Sequence, residues 1–330
     1  MANIGLKDAY HSVAVRSEDR EPTVQEEGQF ILNFFLRSKS QPGKFRLIFN
    51  LKTLNEHVRY EHFKMEHIHT ATAMVTQGCY MANIDLKDAY HSVEMRSEDR
   101  KFLKLEWKGC LYQFCALPFG LACAPLIFTR VLKPILASLR SRGQKSVCYL
   151  DDLLLFGNSY ELCALNVRKT TDLLVKAGFV INVTKSNLTP TKEIIFLGFT
   201  LNSENMSIAL PEEKRQKTLA DCENLAKNPT PTIRNVAKVV GKLVASFPAV
   251  TYGPLYYRCL ERDKMTALVT KRGNFNRKMK LSEGSFHELL WWMKFLEHER
   301  SPHPLAFMRS SVWILSDASL SGLGWDTLKR

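Results

Sequence analysis

The sequence has no long apolar run, no C-x-x-C pair and no acidic excess, and each absence removes a class of protein. Its most apolar stretch, 115–128, is broken by Pro118, Gly120 and Pro125 and is too short to span a bilayer. No membrane partner is expected. The eight cysteines, Cys79, Cys110, Cys115, Cys123, Cys148, Cys163, Cys222 and Cys259, show no metal or redox spacing. No signal-peptide pattern precedes them, so reduced thiols in an intracellular protein are the expectation, with cytoplasm and nucleus not distinguished.

What is present points to a folded, basic chain. With 330 residues, 45% of them hydrophobic and 24% charged, it can bury real cores, in roughly two domains of ordinary size. The net charge of +13 and pI near 9.3 favour a polyanionic partner, because Lys and Arg beside phosphates release condensed counterions.

One internal repeat stands out. MANIGLKDAYHSVAVRSEDR at 1–20 recurs as MANIDLKDAYHSVEMRSEDR at 81–100, identical at 17 of 20 positions. A single copied unit is no solenoid, which needs several stacked repeats. Gly5 stands where the second copy has Asp85, so the first copy lacks the carboxylate and is expected to be a passenger.

From residue 30 the pattern turns strand-rich: FILNFFL, a turn in SKSQPG, then KFRLIFNL predict a hairpin of two buried strands joined by a basic turn. Residues 81–86 and 146–156 read as further short apolar strands, with helices over 125–140 and 159–177. This is a mixed α/β body. Segment 211–280 switches to helical periodicity and holds 15 Lys or Arg against 6 Asp or Glu, which supplies +9 of the charge. After it, LSEGSFHELLWWMKFLEHE predicts one amphipathic helix with a Ser cap, and SPHP ends it before a last apolar strand, SVWILSDAS.

The chemistry concentrates at Tyr149-Leu150-Asp151-Asp152, where two adjacent carboxylates sit at the tip of an otherwise apolar hairpin. Two such acids repel and resist ionisation unless a cation offsets them, so a divalent metal is the natural resident. The competing reading of an isolated pair is a solvated acidic turn. Asp85 shifts that balance, because it also follows a short apolar strand, MANI, 66 residues before Asp151. Two-metal phosphoryl transfer needs carboxylates bridging ions roughly 3.5–4 Å apart, and three aspartates from two neighbouring strands meet that need.

IDLKDAY, LPFGLACAP, YLDD, AGFVINVTKS and FLGF occur in the order and spacing of reverse transcriptase palm motifs. With GKFRLIFNLKTLN, HFKME, YGPLYYR and ELLWWMKF, the chain resembles the polymerase of DIRS-like retrotransposons over roughly residues 28–325. The resemblance implies an α+β right-hand polymerase, with fingers, a palm built on an antiparallel sheet, a helical thumb, a connection and an incomplete ribonuclease H-like strand. The implied division is a passenger at 1–20, fingers at 21–80 and palm at 81–204 with a finger insertion near 93–118. A basic thumb at 205–280, a connection at 281–310 and a truncated ribonuclease H start at 311–330 complete it.

By position, the resemblance makes Asp85, Asp151 and Asp152, with the Leu86 backbone, ligands of two Mg²⁺ ions, with Mn²⁺ an alternative. Tyr90 matches the aromatic gate that selects deoxynucleotides, with a core tyrosine as the lesser alternative. Asp88 and Ala89 match backbone positions that hold a deoxynucleoside triphosphate, and Lys39, Lys44 and Arg46 match a clamping basic hairpin that otherwise reads as a solvated turn. Phe119 and Gly120 match the segment under the sugar and template base. Lys185 matches a proton donor to pyrophosphate, with a plain surface lysine as the competing reading. Leu197, Gly198 and Phe199 match the primer grip.

Implied partners are an RNA or DNA template with its primer duplex, along whose phosphates the thumb lies. Asp317 resembles the first ribonuclease H carboxylate, but that fold needs further acids on elements this sequence does not supply, which argues against ribonuclease H activity. Trp291 and Trp292 read as core, and His67 and His69 as surface residues. The rival expectations are a catalytically silent nucleic-acid-binding remnant and, ranked below both, an RNA-copying RNA polymerase with the same palm.

Overall fold

In a computed structural model the described residues are 30–38, 45–107, 109–298, 303–305, 312–319 and 322–329. The repeat at 1–20 and the loop carrying Lys39 and Lys44 lie outside them, and Arg46 is placed only by its backbone. The chain divides into two compact units, 1–71 with 80–191, and 72–79 with 192–330.

The first unit opens with the expected hairpin, β1 (Phe34–Ser38) paired antiparallel with β2 (Phe45–Phe49). It is not buried on both faces, as its sequence suggested. Phe35 is exposed while Phe34 and Phe49 pack against the core, because successive strand residues face opposite ways and only one face meets the body. Short helices α1 (Lys52–His57) and α2 (Ile68–Met74) follow, α2 crossing the division between units.

The central sheet grows around β3 (Tyr80–Lys87). After it come the one-turn helix α3 (Ser97–Arg100), the hairpin β4 (Lys104–Trp107) with β5 (Cys110–Gln113), and the long helix α4 (Ala124–Ser141). The hairpin β6 (Lys145–Tyr149) and β7 (Asp152–Gly157) leads into α5 (Tyr160–Lys176), then β8 (Val180–Ile181) and β9 (Asn187–Thr191). The strand order is β6-β7-β3-β8 with β9 also on β3, all antiparallel. Ala82, Ile84, Leu86, Leu153 and Leu155 face a core filled by α4 and α5, through Phe128, Leu132, Cys163 and Leu174. Alternation then puts Asp85 and Asp152 on the opposite face.

Helix α5 starts where Ser159 Oγ accepts the Leu162 N–H at 3.3 Å. Gly157 just before it allows strand and helix to touch, since a Cβ there would stand 2.2 Å from the Cys163 nitrogen.

The second unit joins a small sheet, β10 (Glu193–Phe196), β11 (Phe199–Asn202), β12 (Ser207–Ala209) and β13 (His303–Pro304), to four helices. These are α6 (Glu212–Lys227), α7 (Ile233–Val244), α8 (Arg258–Thr270) and α9 (Glu283–His298). Trp292 is fully buried among them and donates its indole N–H to the Tyr256 carbonyl at 2.7 Å, and Trp291 stacks on Tyr256 at 4.1 Å. Trp292 belongs to the core and Trp291, partly buried, packs against it, in keeping with the structural role expected of both. Buried Glu288 reaches from α9 to accept the Cys259 and Leu260 N–H groups, capping α8, which has no side-chain cap of its own. Asp317 lies on β14 (Val312–Ser319), paired with β15 (Gly322–Lys329).

Gly157→Ala is expected to destabilise the first unit by about 1–3 kcal/mol, because one methyl must displace backbone rather than a flexible side chain. Urea unfolding followed by circular dichroism checks this; an unchanged midpoint would show that strand and helix part easily.

Candidate active site

The three aspartates converge at one end of the central sheet. Asp85 on β3 is the cross-strand partner of Asp152 on β7, so the two carboxylates stand on the same face of neighbouring strands. Asp151 occupies the turn, and its carbonyl accepts the Leu86 N–H at 2.9 Å, which extends the ladder past the strand end. The turn itself is tight. Tyr149 pairs with Asp152, leaving Leu150 and Asp151 as a two-residue connection, and Leu150 takes φ +55°. A two-residue hairpin needs a positive φ at its first position to match strand twist, and a non-glycine residue there holds strain of about 1–3 kcal/mol.

On its other side Asp85 has no continuous strand. β8 pairs with Leu86 and Lys87, β9 pairs with Met81 and Asn83, and the turn 182–186 between them fills the gap. There the Asn182 N–H donates to the Asp85 carbonyl at 2.8 Å, and the Asp85 N–H donates to Ser186 Oγ at 3.0 Å. Asp85 is thus bracketed through its backbone, leaving its carboxylate for chemistry. Lys185 sits in the same turn, with Nζ 3.9 Å from Asp85 Oδ2.

Burial pushes the Asp151 carboxyl above the usual range, with the Asp85 charge adding to the effect and Lys185 opposing it. Asp152 is pushed up to about 6, by burial first and then by Asp151 and Asp85, again against Lys185. Among the described residues no three acidic, His or Cys side chains stand close enough to form a ready-made metal cage. Mg²⁺ does not ask for one: it commonly takes one or two carboxylates and completes its shell with water and substrate phosphates. Two half-buried carboxylates whose charge is under-compensated, with a third opposite, fit that donor set.

Beyond β3 the chain turns through Asp88, in the left-handed region at φ +50°, into a one-turn 3₁₀ segment, Ala89–Ser92. Tyr90 on it is buried against Phe119 and Phe128, at ring distances of 5.0 and 5.4 Å. Burial, then the Asp151 charge, lifts its phenol to about 12. The ring is therefore core on one side and within electrostatic reach of the carboxylates on the other. Phe119 is exposed, its ring also 5.4 Å from His91. Gly120, at φ +97°, offers its carbonyl to Asn55 Nδ2, while Asn55 Oδ1 accepts the Ala122 N–H, which staples the loop.

In the second unit, Leu197 (φ +47°) and Gly198 (φ +74°) form the two-residue turn joining β10 to β11. Lys214 lies 4.2 Å over the Phe199 ring and donates to the Gly198 carbonyl, a support that no pattern in the sequence announces. Asn182 and Ser186 lie inside the AGFVINVTKS motif and Asn55 ends GKFRLIFNLKTLN, but neither motif gives them a role, and His91 has no pattern of its own. His67 and His69 are exposed, as expected.

A family model described as reverse transcriptase (RNA-dependent DNA polymerase) matches residues 37–201, half of the chain. The chain belongs to this family. The matched span contains Asp85, the Asp151–Asp152 turn, Lys185 and the Leu197–Phe199 turn. The retrovirus-related Pol polyprotein of transposon opus from Drosophila melanogaster is 27% identical over 49% of this chain. Polyprotein P3 of Commelina yellow mottle virus is 27% identical over 52%, and the transposon Tf2-3 polyprotein of Schizosaccharomyces pombe 24% over 50%. The chain covers only 16%, 9% and 12% of these relatives.

The fold agrees. A foamy viral protease-reverse transcriptase solved with double-stranded DNA superposes with TM-score 0.67 over 90% of this chain and 48% of its own, at 17% identity. Another, solved with an RNA/DNA hybrid, gives 0.67 over 93% and 41%, at 16% identity. The right-hand polymerase fold of this family is the fold of this chain.

Asp152 supplies a stability test. The fold favours its protonated form, so between about pH 4 and 6 the folded chain binds more protons than the unfolded one and stability falls as pH rises. Asp152→Asn is expected to stabilise the metal-free chain at pH 7 by about 1–2 kcal/mol, discounted for partial exposure, and to give no gain near pH 3. Thermal unfolding against pH checks it; a gain independent of pH would refute the charge explanation.

Proposed function

We propose that this chain is the polymerase core of a retrotransposon protein and catalyses RNA-directed DNA synthesis, the primer 3′-OH attacking the α-phosphate of a deoxynucleoside triphosphate as pyrophosphate leaves. The observation that carries the reading is the opposition of Asp85 and Asp152 beside Asp151, within the family match. The three aspartates and the Leu86 carbonyl would hold two Mg²⁺ ions, or Mn²⁺ in their place, which would supply Lewis acidity toward the attacking hydroxyl and the departing phosphates.

The protein groups do the rest by position. The paired strands hold the carboxylates rigid, so little reorganisation is needed as charge develops. Tyr90, backed by Phe128, presents a fixed ring where a ribose 2′-OH would project, and Phe119 covers the sugar and template base above Gly120. Asp88 and Ala89 offer backbone N–H groups to the triphosphate, Lys39, Lys44 and Arg46 close over it, and Lys185 is the nearest proton donor for pyrophosphate. Leu197, Gly198 and Phe199 grip the primer, and the basic helices within 205–280 act as the thumb against a template–primer duplex. The foamy viral relatives were solved with nucleic acid of that kind. The motif set favours a DIRS-like element, acting inside the cell; among the described residues no helix is long and apolar enough to cross a membrane.

Primer extension on an RNA template with Mg²⁺ tests the reading. Asp151→Asn is expected to lower the rate by about a thousandfold, corresponding to about 4 kcal/mol of transition-state stabilisation; extension equal to the parent would sink the assignment, and absence of extension in the parent would favour a silent nucleic-acid-binding remnant.

Tyr90→Val is expected to raise ribonucleotide use relative to deoxynucleotide by roughly ten- to a hundredfold, the range a steric pocket commands. Unchanged selectivity in steady-state incorporation would return Tyr90 to a purely structural role.

A further inference from the structure

Next to the Asp151–Asp152 turn, within the first unit, lies a cavity of about 470 Å³ that the proposed chemistry does not use. Its lining is largely apolar, formed by Phe63, Met65, Leu126, Leu132, Leu136 and Leu150. Its polar groups are mostly cationic. Arg130 is paired with Glu61 at 2.6 Å and Arg140 with Glu66 at 2.8 Å, whereas Lys64 and Lys133 have no acidic partner among the described residues. A cavity of a few hundred Å³, apolar with a few placed polar groups, is the usual form of a small-ligand site. Two uncommitted ammonium groups select for negative charge.

Two contacts tie this cavity to the catalytic turn. Leu150, which lines it, is the positive-φ residue that lets β6 turn into β7. Cys148, also lining it, donates its N–H to Glu66 Oε2 at 2.6 Å and its Sγ–H to the Leu150 carbonyl at 3.3 Å. A molecule seated here would lie against Cys148 and Leu150, in the segment that leads to Asp151 and Asp152.

We propose that the cavity binds a small, largely apolar molecule bearing one negative charge, and that its occupancy slows nucleotidyl transfer by restraining the Leu150 turn. The inhibitory half rests on the polymerase reading above; the binding half stands without it.

The probe is 8-anilinonaphthalene-1-sulfonate, an aromatic monoanion that fluoresces in apolar surroundings, titrated into the full chain. One saturable site is expected. Ala137 is an exposed lining residue, so Ala137→Phe fills the cavity without disturbing the core, and it is expected to raise Kd by about tenfold or more. Lys64→Gln with Lys133→Gln is expected to weaken the sulfonate while sparing the uncharged N-phenyl-1-naphthylamine. Equal sulfonate binding by the parent and Ala137→Phe overturns the site, and equal loss of both probes in the double variant overturns the charge preference. In primer extension, saturating probe is expected to lower kcat with little change in nucleotide KM, and Ala137→Phe to resist it. Undiminished inhibition of Ala137→Phe overturns the coupling. A chain that binds the probe yet never extends a primer refutes the polymerase reading and the inhibitory half, and leaves the site standing.

Discussion

Everything at the site depends on two like-charged side chains being held opposite each other, Asp85 on β3 and Asp152 on β7. Like charges directly across an antiparallel pair destabilise it. The elevation of Asp152 to about 6 puts the penalty at no more than about 3 kcal/mol, less after solvent screening. Against it stand Leu153, Leu154, Leu155 and Phe156, all buried, worth about 1.5–3 kcal/mol each in gross burial. The apolar run wins, and the register from Tyr80↔Gly157 to Asp85↔Asp152 follows from it. A one-residue slip would turn Asp152 to the face that carries Leu153 and Leu155, away from Asp85, and lose the site.

The surrounding polar contacts finish what burial begins. Strand β6 is a sheet edge, and an uncovered edge invites pairing with other chains. Here Glu66 takes the Cys148 N–H, and Arg140 binds both Glu66 and the Ser146 carbonyl, so the groups a further strand would use are occupied by an ion pair. On the other side the 182–186 turn gives Asp85 two hydrogen bonds in place of a strand. The carboxylates are fixed from both flanks by contacts that avoid their oxygens, which is what preorganisation of a charged site requires.

This division of labour explains what could be read from sequence. Apolar strands ending in acids are a contradiction that only function resolves, so MANID and YLDD announce themselves, and α4 and α5 lie within two residues of the spans their periodicity predicts. The bracket is silent by comparison. Asp85 and Ser186 are 101 residues apart, and a Ser or Asn in a polar turn has many local uses that pattern alone cannot rank. The exposure of Phe35 was hidden for a related reason: FILNFFL is apolar enough for two buried faces, and only the assembled body decides that one of them is left open. His91 is similar, half-buried beside Phe119 with its Nδ1 unpartnered among the described residues, a placement with no signature in HSV.

Lys185 shows why the carboxylates remain a cation site despite a lysine beside them. At 3.9 Å its ammonium is beyond the 2.7–2.9 Å of a charge-assisted hydrogen bond, and its side chain is 69% exposed. A pair of that kind is worth about 0–1 kcal/mol, too little to neutralise three acids, and both Asp151 and Asp152 keep raised pKa values with Lys185 present. A closer, buried partner such as arginine would have quenched the charge and closed the site to a divalent ion. A long, hydrated lysine stem instead leaves the charge available and can move aside. Because a ligand that binds only the folded state stabilises it by mass action, a cation captured there would strengthen the sheet end whose repulsion now weakens it. Stability and chemistry then draw on the same unpaired charge, so the strand register that the apolar run enforces serves both.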